Sequence, residues 1–554
     1  MNLNKVTPKE SLRDPMERII QELIKAPIKT RADLASFKRR LAKKYKIALP
    51  SNVKLLKIYH QIVKKKSLKR LARVENLLRT RPIRSLSGIV NISVLTKPYP
   101  CPGKCIFCPI EKGIPKSYLS GEPAVERAKK LNYNPYLQIK KRIEMLEQEG
   151  HPTDKIELRI IGATWSFYPK KYQTWFIKRC FDGANAKKSK SLKEAQKLNE
   201  GARHRIIGLS IETRPDYISL REIKRLRKLG VTLVELGVQS IYDDVLNLNL
   251  RGHGVKETIL ATKLLKDAGF KVLYQIMPNL SGSDLKRDEK MFEELFQNPD
   301  FQPDLLKIYP CALLKEAPLY KLKEKVGYQP YQDEELIALL KSIKKKIPYY
   351  VRIQRITRDI PSQKVVVGPA KITNLRQIIT ELSRKKGWKC RCIRCREVRE
   401  KYDQKEKIYL FRENYKASGG KEIFLSYEDK DREKLYSLLR LRIPSQIFGS
   451  NEHFIPVLKN AAIIREIHTY GQLVPISMRK IAPQHRGLGK KLIREAEKIA
   501  KKEFGFHPVK SAKGGAKQFN RVNKIAVISG VGVRNYYRKL GYQLKDGYMV
   551  KKLS

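Results

Sequence analysis

Three cysteines, Cys101, Cys105 and Cys108, lie within eight residues in a C-x3-C-x2-C pattern. Three thiolates at this spacing can ligate three irons of a cubane [4Fe-4S] cluster and leave the fourth iron open. In radical enzymes the amino and carboxylate groups of S-adenosylmethionine hold that iron. A zinc site would need a fourth ligand nearby, and the next dozen residues contain neither Cys nor His. The spacing favours the cluster over structural zinc or redox thiols.

A second group of thiols, Cys390, Cys392 and Cys395, lies within six residues farther along the chain. Four thiolates suit a tetrahedral structural zinc ion. We expect Cys311, at the end of a predicted strand, to be the fourth ligand. The alternative is a set of unligated thiols in a basic loop. The remaining thiol, Cys180, lies in an aromatic-rich helical segment and is expected to belong to the core.

A strand-then-helix alternation extends from about residue 90 to about residue 355. Six β-rich segments cover residues 90–95, 156–164, 206–215, 233–240, 271–278 and 305–310. Helical segments such as 219–229, 255–268 and 285–297 separate them. This alternation predicts an α/β fold with a parallel sheet, closed or partly closed as a barrel. Ligands of such folds collect at the carboxyl ends of the strands.

Several small or charged residues occupy those strand ends together with the cysteine loop: Gly162, Glu212, Arg214 and Gln239. The small Gly162 would let the backbone approach the amino group of a bound methionine. Glu212 and Arg214, two residues apart, are expected to point the same way. We predict that Glu212 binds ribose hydroxyls or the amine and that Arg214 binds the carboxylate. In isolation, Glu-x-Arg would be an ordinary surface pair.

The composition indicates several domains and a polyanionic partner. The chain has 554 residues and a formal charge of +62, with 117 Lys and Arg against 55 Asp and Glu. Such a charge attracts nucleic acid first of all. We expect no membrane-spanning helix, because the sequence has no run of 18 apolar residues. We also expect no signal peptide, because the residues after Met1 are polar and contain no apolar segment. The cysteines have the spacing of metal ligands rather than of a disulfide framework, which predicts that the protein is located in a reducing cytoplasm.

The sequence of residues 1 to about 85 predicts a basic helical region that binds along the phosphate backbone of a nucleic acid. Apolar residues recur at helical spacing over 16–24, and basic runs at 39–46 and 64–66 surround them. Tyr45 and Tyr59 would offer aromatic faces among the cations. A solvated basic surface is the alternative reading of the same pattern.

A second fold begins after about residue 405. Strands are predicted at 407–411 and 423–427, a helix at 429–439, and a hairpin from 461–469 and 472–477. Gln484, Gly487 and Gly489 then precede an amphipathic helix that continues to about residue 500. Glycines at a helix start expose backbone N–H groups at the positive end of the helix dipole, which suits a pyrophosphate.

The glycine pattern, with Tyr536 and Tyr537 before Arg538-Lys539-Leu540-Gly541-Tyr542, resembles the GNAT acetyltransferase family. The resemblance implies that the cradle holds the pyrophosphate of acetyl-CoA and that Tyr537 protonates the departing CoA thiolate. One of the two adjacent tyrosines is expected to be a core residue.

The whole chain resembles the family of the Elongator catalytic subunit. The matching segments are Leu95-Thr96-Lys97-Pro98, Tyr133-Asn134-Pro135-Tyr136, Glu212-Thr213-Arg214-Pro215-Asp216, Glu235-Leu236-Gly237-Val238-Gln239-Ser240, Arg358-Asp359-Ile360-Pro361 and Ile528-Ser529-Gly530-Val531-Gly532. The resemblance implies modification of the tRNA wobble uridine to 5-carboxymethyluridine. Acetyl-CoA would supply the two carbons, a 5′-deoxyadenosyl radical would abstract a hydrogen from it, and the carbon radical would add to uridine C5.

By the same resemblance, further residues contact acetyl-CoA: Lys155, Glu466, Ile467, His468, Thr469, Leu488, Gly489 and Lys490. The implied domains are a tRNA-binding region over 1–85, a radical S-adenosylmethionine domain over 86–355, a zinc-binding linker over 356–404 and a GNAT domain over 405–554. The basic helices would hold the anticodon stem-loop of tRNA. Accessory subunits or a homodimer are compatible with the family, and residues 507–523 form an inserted loop.

Two rival functions remain at this point. One is a protein lysine acetyltransferase with a structural cluster domain, which would need an acidic or neutral peptide groove that the charge of +62 does not suggest. The other is a tRNA-binding scaffold with degenerate sites. The presence of Cys101, Cys105, Cys108, Tyr537 and the glycine pair speaks against the scaffold.

Overall fold

Four helices precede the first strand in the computed structural model, and they pack around an apolar core of their own. They are α1 (Pro15–Lys25), α2 (Arg31–Lys44), α3 (Asn52–Lys65) and α4 (Ala72–Leu78). The structure describes residues 14–65, 67, 70–368, 371–372, 374–399, 405–449, 451–471, 487–505 and 521–553. The Thr30 hydroxyl accepts from the backbone N–H of Asp33, and the Asp33 carboxylate accepts from that of Thr30, so a capping box starts α2.

The two tyrosines expected among the cations of this region differ in their surroundings. The Nζ of Lys44 lies 5.2 Å from the ring centroid of Tyr45, as expected. Tyr59 is 0% exposed, and its hydroxyl accepts a hydrogen bond from the backbone N–H of Leu71 at 2.6 Å. Tyr59 is therefore a core residue and offers no aromatic face.

Seven parallel strands form the central half-barrel, in the spatial order β1 to β7. They are β1 (Val90–Leu95), β2 (Lys155–Ile161), β3 (Arg205–Thr213), β4 (Leu233–Gln239), β5 (Lys271–Ile276), β6 (Leu305–Ile308) and β7 (Arg352–Arg355). The sequence predicted six of them. β7 has only four residues, two of them arginine, and is shorter than the usual strand signal.

Helices cover the outside of the half-barrel. They are α5 (Pro123–Lys129), α6 (Pro135–Gln148), α7 (Lys170–Asn185), α8 (Leu192–Asn199), α9 (Leu220–Leu229), α10 (Asp243–Leu248), α11 (Val255–Asp267), α12 (Leu285–Gln297), α13 (Leu319–Leu322) and α14 (Asp333–Lys346). The predicted helices at 219–229, 255–268 and 285–297 are confirmed to within one residue. Ile156, Leu158 and Ile160 of β2 are buried beneath this layer, so the alternate residues face inward.

A linker and a second sheet complete the chain. The linker carries α15 (Leu375–Lys385) and α16 (Ile393–Arg396). The sheet has the order β13-β14-β12-β11-β10-β9-β8. Its elements are β8 (Tyr409–Ala417), β9 (Gly420–Glu428), β10 (Leu435–Ile443), β11 (Ala461–Thr469), α17 (Leu488–Phe504), β12 (Lys524–Val527), α18 (Arg534–Arg538), β13 (Gln543–Lys545) and β14 (Tyr548–Lys552). β11 and β12 are parallel.

The predicted helix at 429–439 is wrong. The chain turns at Arg432, whose φ is 57°, and then continues as β10, paired with β9 and β11. Leu435, Leu438 and Leu439 imitate helical spacing, but every residue of β10 is buried, so the apolar run shows no strand alternation. Gln484, the predicted strand 472–477 and residues 507–520 of the predicted insertion lie outside the described residues.

The second sheet packs against the amino-terminal ends of the half-barrel strands, here called the lower end. The Nε2 of His468 donates to the carbonyl of Ser87, just before β1, at 2.7 Å. Arg440 donates to the carbonyl of Tyr350, just before β7, at 2.7 Å. A Cβ at Gly530 would lie 1.9 Å from the carbonyl oxygen of Ile207 in β3. The carboxyl ends of the strands, the upper end, carry the cysteine loop.

Buried ion pairs join the two sheets. The Asp304 carboxylate, just before β6, accepts from Arg465 of β11 at 2.9 Å. Asp267, at the end of α11, accepts from Arg442 of β10 at 2.6 Å. Arg465 also donates to Glu422 of β9 at 3.0 Å. Burial opposes ionisation, but the charges of Arg465, Lys266 and Arg440 together outweigh it and lower the pKa of Asp304. The contacts fix the position of the second sheet.

Replacing Asp304 with asparagine should destabilise the protein severely. The change leaves Arg465 buried without its full carboxylate partner, and breaking a buried pair typically costs about 3–5 kcal/mol. Thermal unfolding followed by calorimetry would show a large drop in Tm. The exposed pair Glu452–Lys459 is the control, because Glu452→Gln should hardly change Tm. Equal shifts for the two variants would contradict a structural role for the buried pairs.

No helix among the described residues is long and apolar enough to cross a membrane.

Candidate active sites at the two ends of the half-barrel

The cysteine loop lies between β1 and α5 at the upper end, surrounded by cations. Cys105 is buried, and Cys101 and Cys108 are partly exposed. The Nη1 of Arg251 donates to the Sγ of Cys105 at 3.4 Å. The Sγ of Cys101 lies 3.6 Å from the Oγ1 of Thr164. Three thiols in one loop are a suitable donor set for an iron-sulfur cluster.

A cavity of about 190 Å³ opens beside Cys108, and we call it the chamber. Its wall includes Glu212, whose Oε2 accepts from the Tyr118 hydroxyl at 2.7 Å. The Oε1 of Glu212 accepts from the Nε2 of Gln275 at 3.2 Å and the Nζ of Lys307 at 3.3 Å. Lys307 also contacts Glu235. Glu212 is thus held in place at the chamber wall.

The charges of this network keep Lys307 protonated. Burial lowers the pKa of Lys307, but the carboxylates of Glu235 and Glu212 outweigh burial and raise it above its ordinary value. The hydrogen bonds of the network hold the Glu212 carboxylate in one orientation beside the chamber. The sequence did not single out Lys307, Glu235, Gln275 or Tyr118. A charged residue within a short buried strand, such as Lys307 in Leu-Leu-Lys-Ile, was the available signal.

Arg214 and Glu212 contact different partners near the carboxyl end of β3. Arg214 lies just beyond the end of β3 and donates to both carboxylate oxygens of Asp216 at 2.9 Å. Its Nη1 is buried without a hydrogen-bond partner among the described residues and lies 2.5 Å from where a Cβ of Gly103 would be. Arg214 therefore faces the cysteine loop, whereas Glu212 faces the chamber.

Gln239 and Gly162 occupy the neighbouring strand ends. Gln239 adopts a φ of 72° at the end of β4, and its buried Oε1 has no hydrogen-bond partner among the described residues. Gln239 lines the chamber, so it and Arg214 both keep a polar atom available for a ligand. A Cβ at Gly162 would lie 2.0 Å from the Oγ1 of Thr96. Close packing against Thr96, the residue after β1, and a φ of 129° require the glycine. These residues fit S-adenosylmethionine on a cluster.

The glycine cradle lies at the start of α17, in the second sheet domain. Gly487 has a φ of 73° and precedes Leu488, the first residue of the helix. A Cβ at Gly489 would lie 3.5 Å from the Cδ1 of Ile467, 3.5 Å from the Tyr536 hydroxyl and 3.8 Å from the Oγ1 of Thr469. The structure therefore brings Ile467, Thr469, Gly489 and Tyr536 together, and Lys490 follows in the same helical turn.

Of the two adjacent tyrosines, Tyr536 lies at the cradle and Tyr537 lies in the core. Tyr537 is 3% exposed within the apolar cluster of the second sheet, whereas Tyr536 is 37% exposed. Burial raises the pKa of Tyr536, so its hydroxyl keeps its proton at neutral pH. The family resemblance implies the acid role for Tyr537, and the Tyr536 hydroxyl is the one that lies beside Gly489.

Glu466, His468 and Lys155 lie where the second sheet meets the half-barrel. Glu466 accepts from the Nε of Arg440 at 2.8 Å and from the Nζ of Lys271 at 3.3 Å. Lys155 is the first residue of β2, and burial lowers its pKa. The acetyl-CoA contacts implied by the resemblance thus border the lower end of the half-barrel.

The three linker thiols lie close together, but Cys311 does not join them. The sulfurs of Cys390, Cys392 and Cys395 all lie within 4.8 Å of one another, which fits a single tetrahedral ion. Cys311 packs with Cys105 and Tyr328 near the cysteine loop instead. The predicted fourth ligand is therefore corrected: β6 carries Cys311 to the upper end of the half-barrel, away from the linker.

Family models match two parts of the chain. The Radical SAM superfamily model covers residues 99–295, and the Radical_SAM C-terminal domain model covers residues 303–384. With the half-barrel and its three-cysteine loop, these matches define a radical S-adenosylmethionine protein, a class that implies a [4Fe-4S] cluster and S-adenosylmethionine.

Relatives that match almost the whole chain show to which family within this class the protein belongs. The chain is 44% identical to the tRNA uridine(34) acetyltransferase of Methanocaldococcus infernus, over 98% of this chain and 99% of that one. It is 37% identical to Elongator complex protein 3 of Homo sapiens, over 99% and 98%. The chain belongs to this tRNA uridine(34) acetyltransferase and Elongator complex protein 3 family. A solved structure of the archaeal M. infernus Elp3 with an N-terminal deletion matches at 43% identity and a TM-score of 0.71, over 85% of this chain and all of that one.

Proposed function

We propose that this chain modifies the wobble uridine of tRNA, forming 5-carboxymethyluridine from acetyl-CoA. The observation that supports the proposal is that buried ion pairs such as Asp304–Arg465 attach the second sheet, with its glycine turn before α17, to the radical S-adenosylmethionine half-barrel. A C5 carbon of uridine is a poor nucleophile towards a thioester, whereas a carbon radical adds to the 5,6 double bond. The two sites are both needed for that reaction.

The residues of the upper end have distinct roles in this proposal. Cys101, Cys105 and Cys108 hold the cluster, and the cluster with S-adenosylmethionine supplies the 5′-deoxyadenosyl radical when both are bound. Arg214 binds the carboxylate of the methionine, and Gln239 offers its free Oε1. Glu212 is oriented by Lys307 and Tyr118 to accept hydrogen bonds from a ribose or an amine.

The residues of the lower end bind acetyl-CoA. Backbone N–H groups from Gly487 to Lys490 bind the pyrophosphate at the helix N-terminus. Ile467 and Thr469 line the pantetheine arm, and Tyr536 donates a proton to the departing thiolate. The basic helices of residues 14–65, with Lys44 and Tyr45, bind the anticodon stem-loop, because RNA is read mainly through phosphates and unstacked bases.

The division into residues 1–85, 86–355, 356–404 and 405–554 belongs to the same proposal. In it the linker of 356–404 holds a structural zinc ion on Cys390, Cys392 and Cys395, with the fourth ligand left to water or to a residue outside the described ranges. The Nζ of Lys344 lies 3.4 Å from the Sγ of Cys395, and its charge offsets part of the negative charge of three thiolates.

Replacing Cys392 with serine should remove this zinc ion and lower the thermal stability. Cys392 is the buried thiol of the three, and binding of a structural metal adds directly to folding free energy. Elemental analysis would report zinc, and calorimetry the Tm. Cys180→Ala, which removes a buried thiol from the core, is the control and should retain zinc. A wild-type protein without stoichiometric zinc would refute the assignment.

The proposed function is tested by anaerobic reconstitution with iron and sulfide, followed by addition of S-adenosylmethionine, acetyl-CoA and bulk tRNA. Nucleoside mass spectrometry should detect carboxymethylated uridine. Unmodified uridine together with acetylated lysines would instead support a protein lysine acetyltransferase.

A further inference from the structure

The inner face of the half-barrel is polar along β2 and β3, whereas Leu233, Leu273 and Leu305 form a small buried apolar cluster along β4, β5 and β6. In closed barrels of parallel strands, layers of bulky branched side chains fill the interior. Here the inward positions of β2 are Lys155, Glu157 and Arg159, and β3 contributes Gly208 and Ser210. The Glu157 and Arg159 side chains are 15% and 17% exposed, although helices cover the outside and the second sheet covers the lower end. Their exposure therefore reflects space inside the molecule.

These inner residues connect the chamber to the acyl-CoA cradle. Arg159 lines the chamber, and its Nη2 donates to the Oε2 of Glu157 at 3.3 Å. One layer lower, the charge of Lys271 acts on Glu157. The Nζ of Lys271 then donates to the Oε1 of Glu466 at 3.3 Å, and Glu466 directly precedes Ile467 at the cradle. Polar side chains thus line the inner face between the two candidate sites.

Gly208 marks an open point halfway along this series. It pairs with Glu157 across the β2–β3 ladder. A Cβ at Gly208 would meet only the Oγ1 of Thr232 at 3.6 Å and the Cγ of Glu157 at 3.7 Å, both ordinary van der Waals contacts. Neither a positive φ nor a close backbone approach requires glycine at this position. A Cβ therefore fits at Gly208 without a clash, and a larger side chain there would project along the inner face.

We propose that this inner face is an internal passage, through which the acetyl-thioester end of a pantetheine arm reaches the chamber from the cradle. This inference rests on the proposed function and adds the route by which the acetyl group reaches the chamber. Seven residues of β2 at about 3.3 Å each separate the two ends by roughly 20 Å. The polar walls of Lys155, Glu157 and Arg159 offer hydrogen bonds to the amides of the arm. A route through the molecule keeps the acyl carbon away from bulk water.

The test fills the open point with Gly208→Leu. We expect the rates of thioester hydrolysis and of reductive S-adenosylmethionine cleavage, assayed separately, to stay within twofold of wild type, while formation of carboxymethylated uridine falls at least tenfold. Gly201→Leu is the matched control, because a Cβ at Gly201 would meet nothing within 4 Å, and should leave all three rates unchanged. Unchanged uridine modification in Gly208→Leu would overturn the passage.

A second readout needs neither the cluster nor turnover. A non-hydrolysable acetyl-CoA ketone analogue with a diazirine at its acyl end is photolysed on the apoprotein, and labelled peptides are sequenced. Label on β2 and β3 residues 157–159 and 208–210 supports the passage even if Gly208→Leu fails to fold, and label confined to the outer surface overturns it. Internal labelling with a wild-type protein that never modifies uridine would refute the proposed function but not the passage.

Discussion

Replacing Cys105 with alanine is expected to abolish uridine modification and to leave tRNA binding intact. Cys105 is buried beneath the loop beside Arg251, and its loss removes one of the three thiolates proposed to hold the cluster. The proposed tRNA-binding helices α1–α3 have an apolar core of their own, so the substitution does not touch them. Modified nucleosides should fall to background, while filter-binding assays should give an unchanged Kd for tRNA.

The control for this variant is Cys180→Ala, which removes a different buried thiol. Cys180 lies on α7 within the main apolar core, so iron content, 5′-deoxyadenosine formation and modification should all persist. Equal loss of tRNA binding and modification in Cys105→Ala would contradict the division of labour between the helical region and the half-barrel.

Replacing Tyr536 with phenylalanine is expected to slow tRNA-stimulated hydrolysis of the acetyl-CoA thioester by roughly 10²–10⁴-fold, the usual contribution of a general acid. The Tyr536 hydroxyl lies beside Gly489 in the cradle, and a raised pKa keeps it protonated. Release of free CoA thiol, measured with a thiol reagent, reports the rate. Acetyl-CoA affinity should change little, because the pyrophosphate contacts involve backbone groups.

Tyr537→Phe is the matched control, since it removes the same atom from the adjacent residue. Tyr537 packs in the apolar cluster that includes Leu492 and Tyr542, so its loss should leave the hydrolysis rate nearly unchanged. A slow Tyr537→Phe with a normal Tyr536→Phe would return the acid role to the residue that the family resemblance indicates.

The sequence was sufficient to predict those features that depend on short local patterns of residues. The C-x3-C-x2-C spacing, the strand-helix alternation and the glycines before α17 each follow from residues close together in the chain. β10 was mistaken for a helix because burial on both faces removes the alternation that identifies a strand. Cys311 was misplaced because nothing local tells where the linker thiols pack; its position after β6 puts it at the same end of the half-barrel as the cysteine loop.

The interior of the half-barrel depends on residues far apart in sequence. Glu212 meets Lys307 and Tyr118 only after six strands have been aligned, and Asp304 meets Arg465 only after two domains have docked. An isolated charge within an apolar strand indicates that a partner exists, yet not which residue it is. The choice between Tyr536 and Tyr537 likewise depends on the rotation of α18 against α17.

The central claim is that a radical formed on the acetyl group of acetyl-CoA is added to the wobble uridine. The most direct measurement uses acetyl-CoA with a fully deuterated methyl group, supplied anaerobically with S-adenosylmethionine and tRNA to the reconstituted protein. The account predicts one deuterium in 5′-deoxyadenosine and two in the carboxymethyl group of the uridine. Undeuterated 5′-deoxyadenosine, or deuterated acetyl groups on lysines with unmodified uridine, would contradict it.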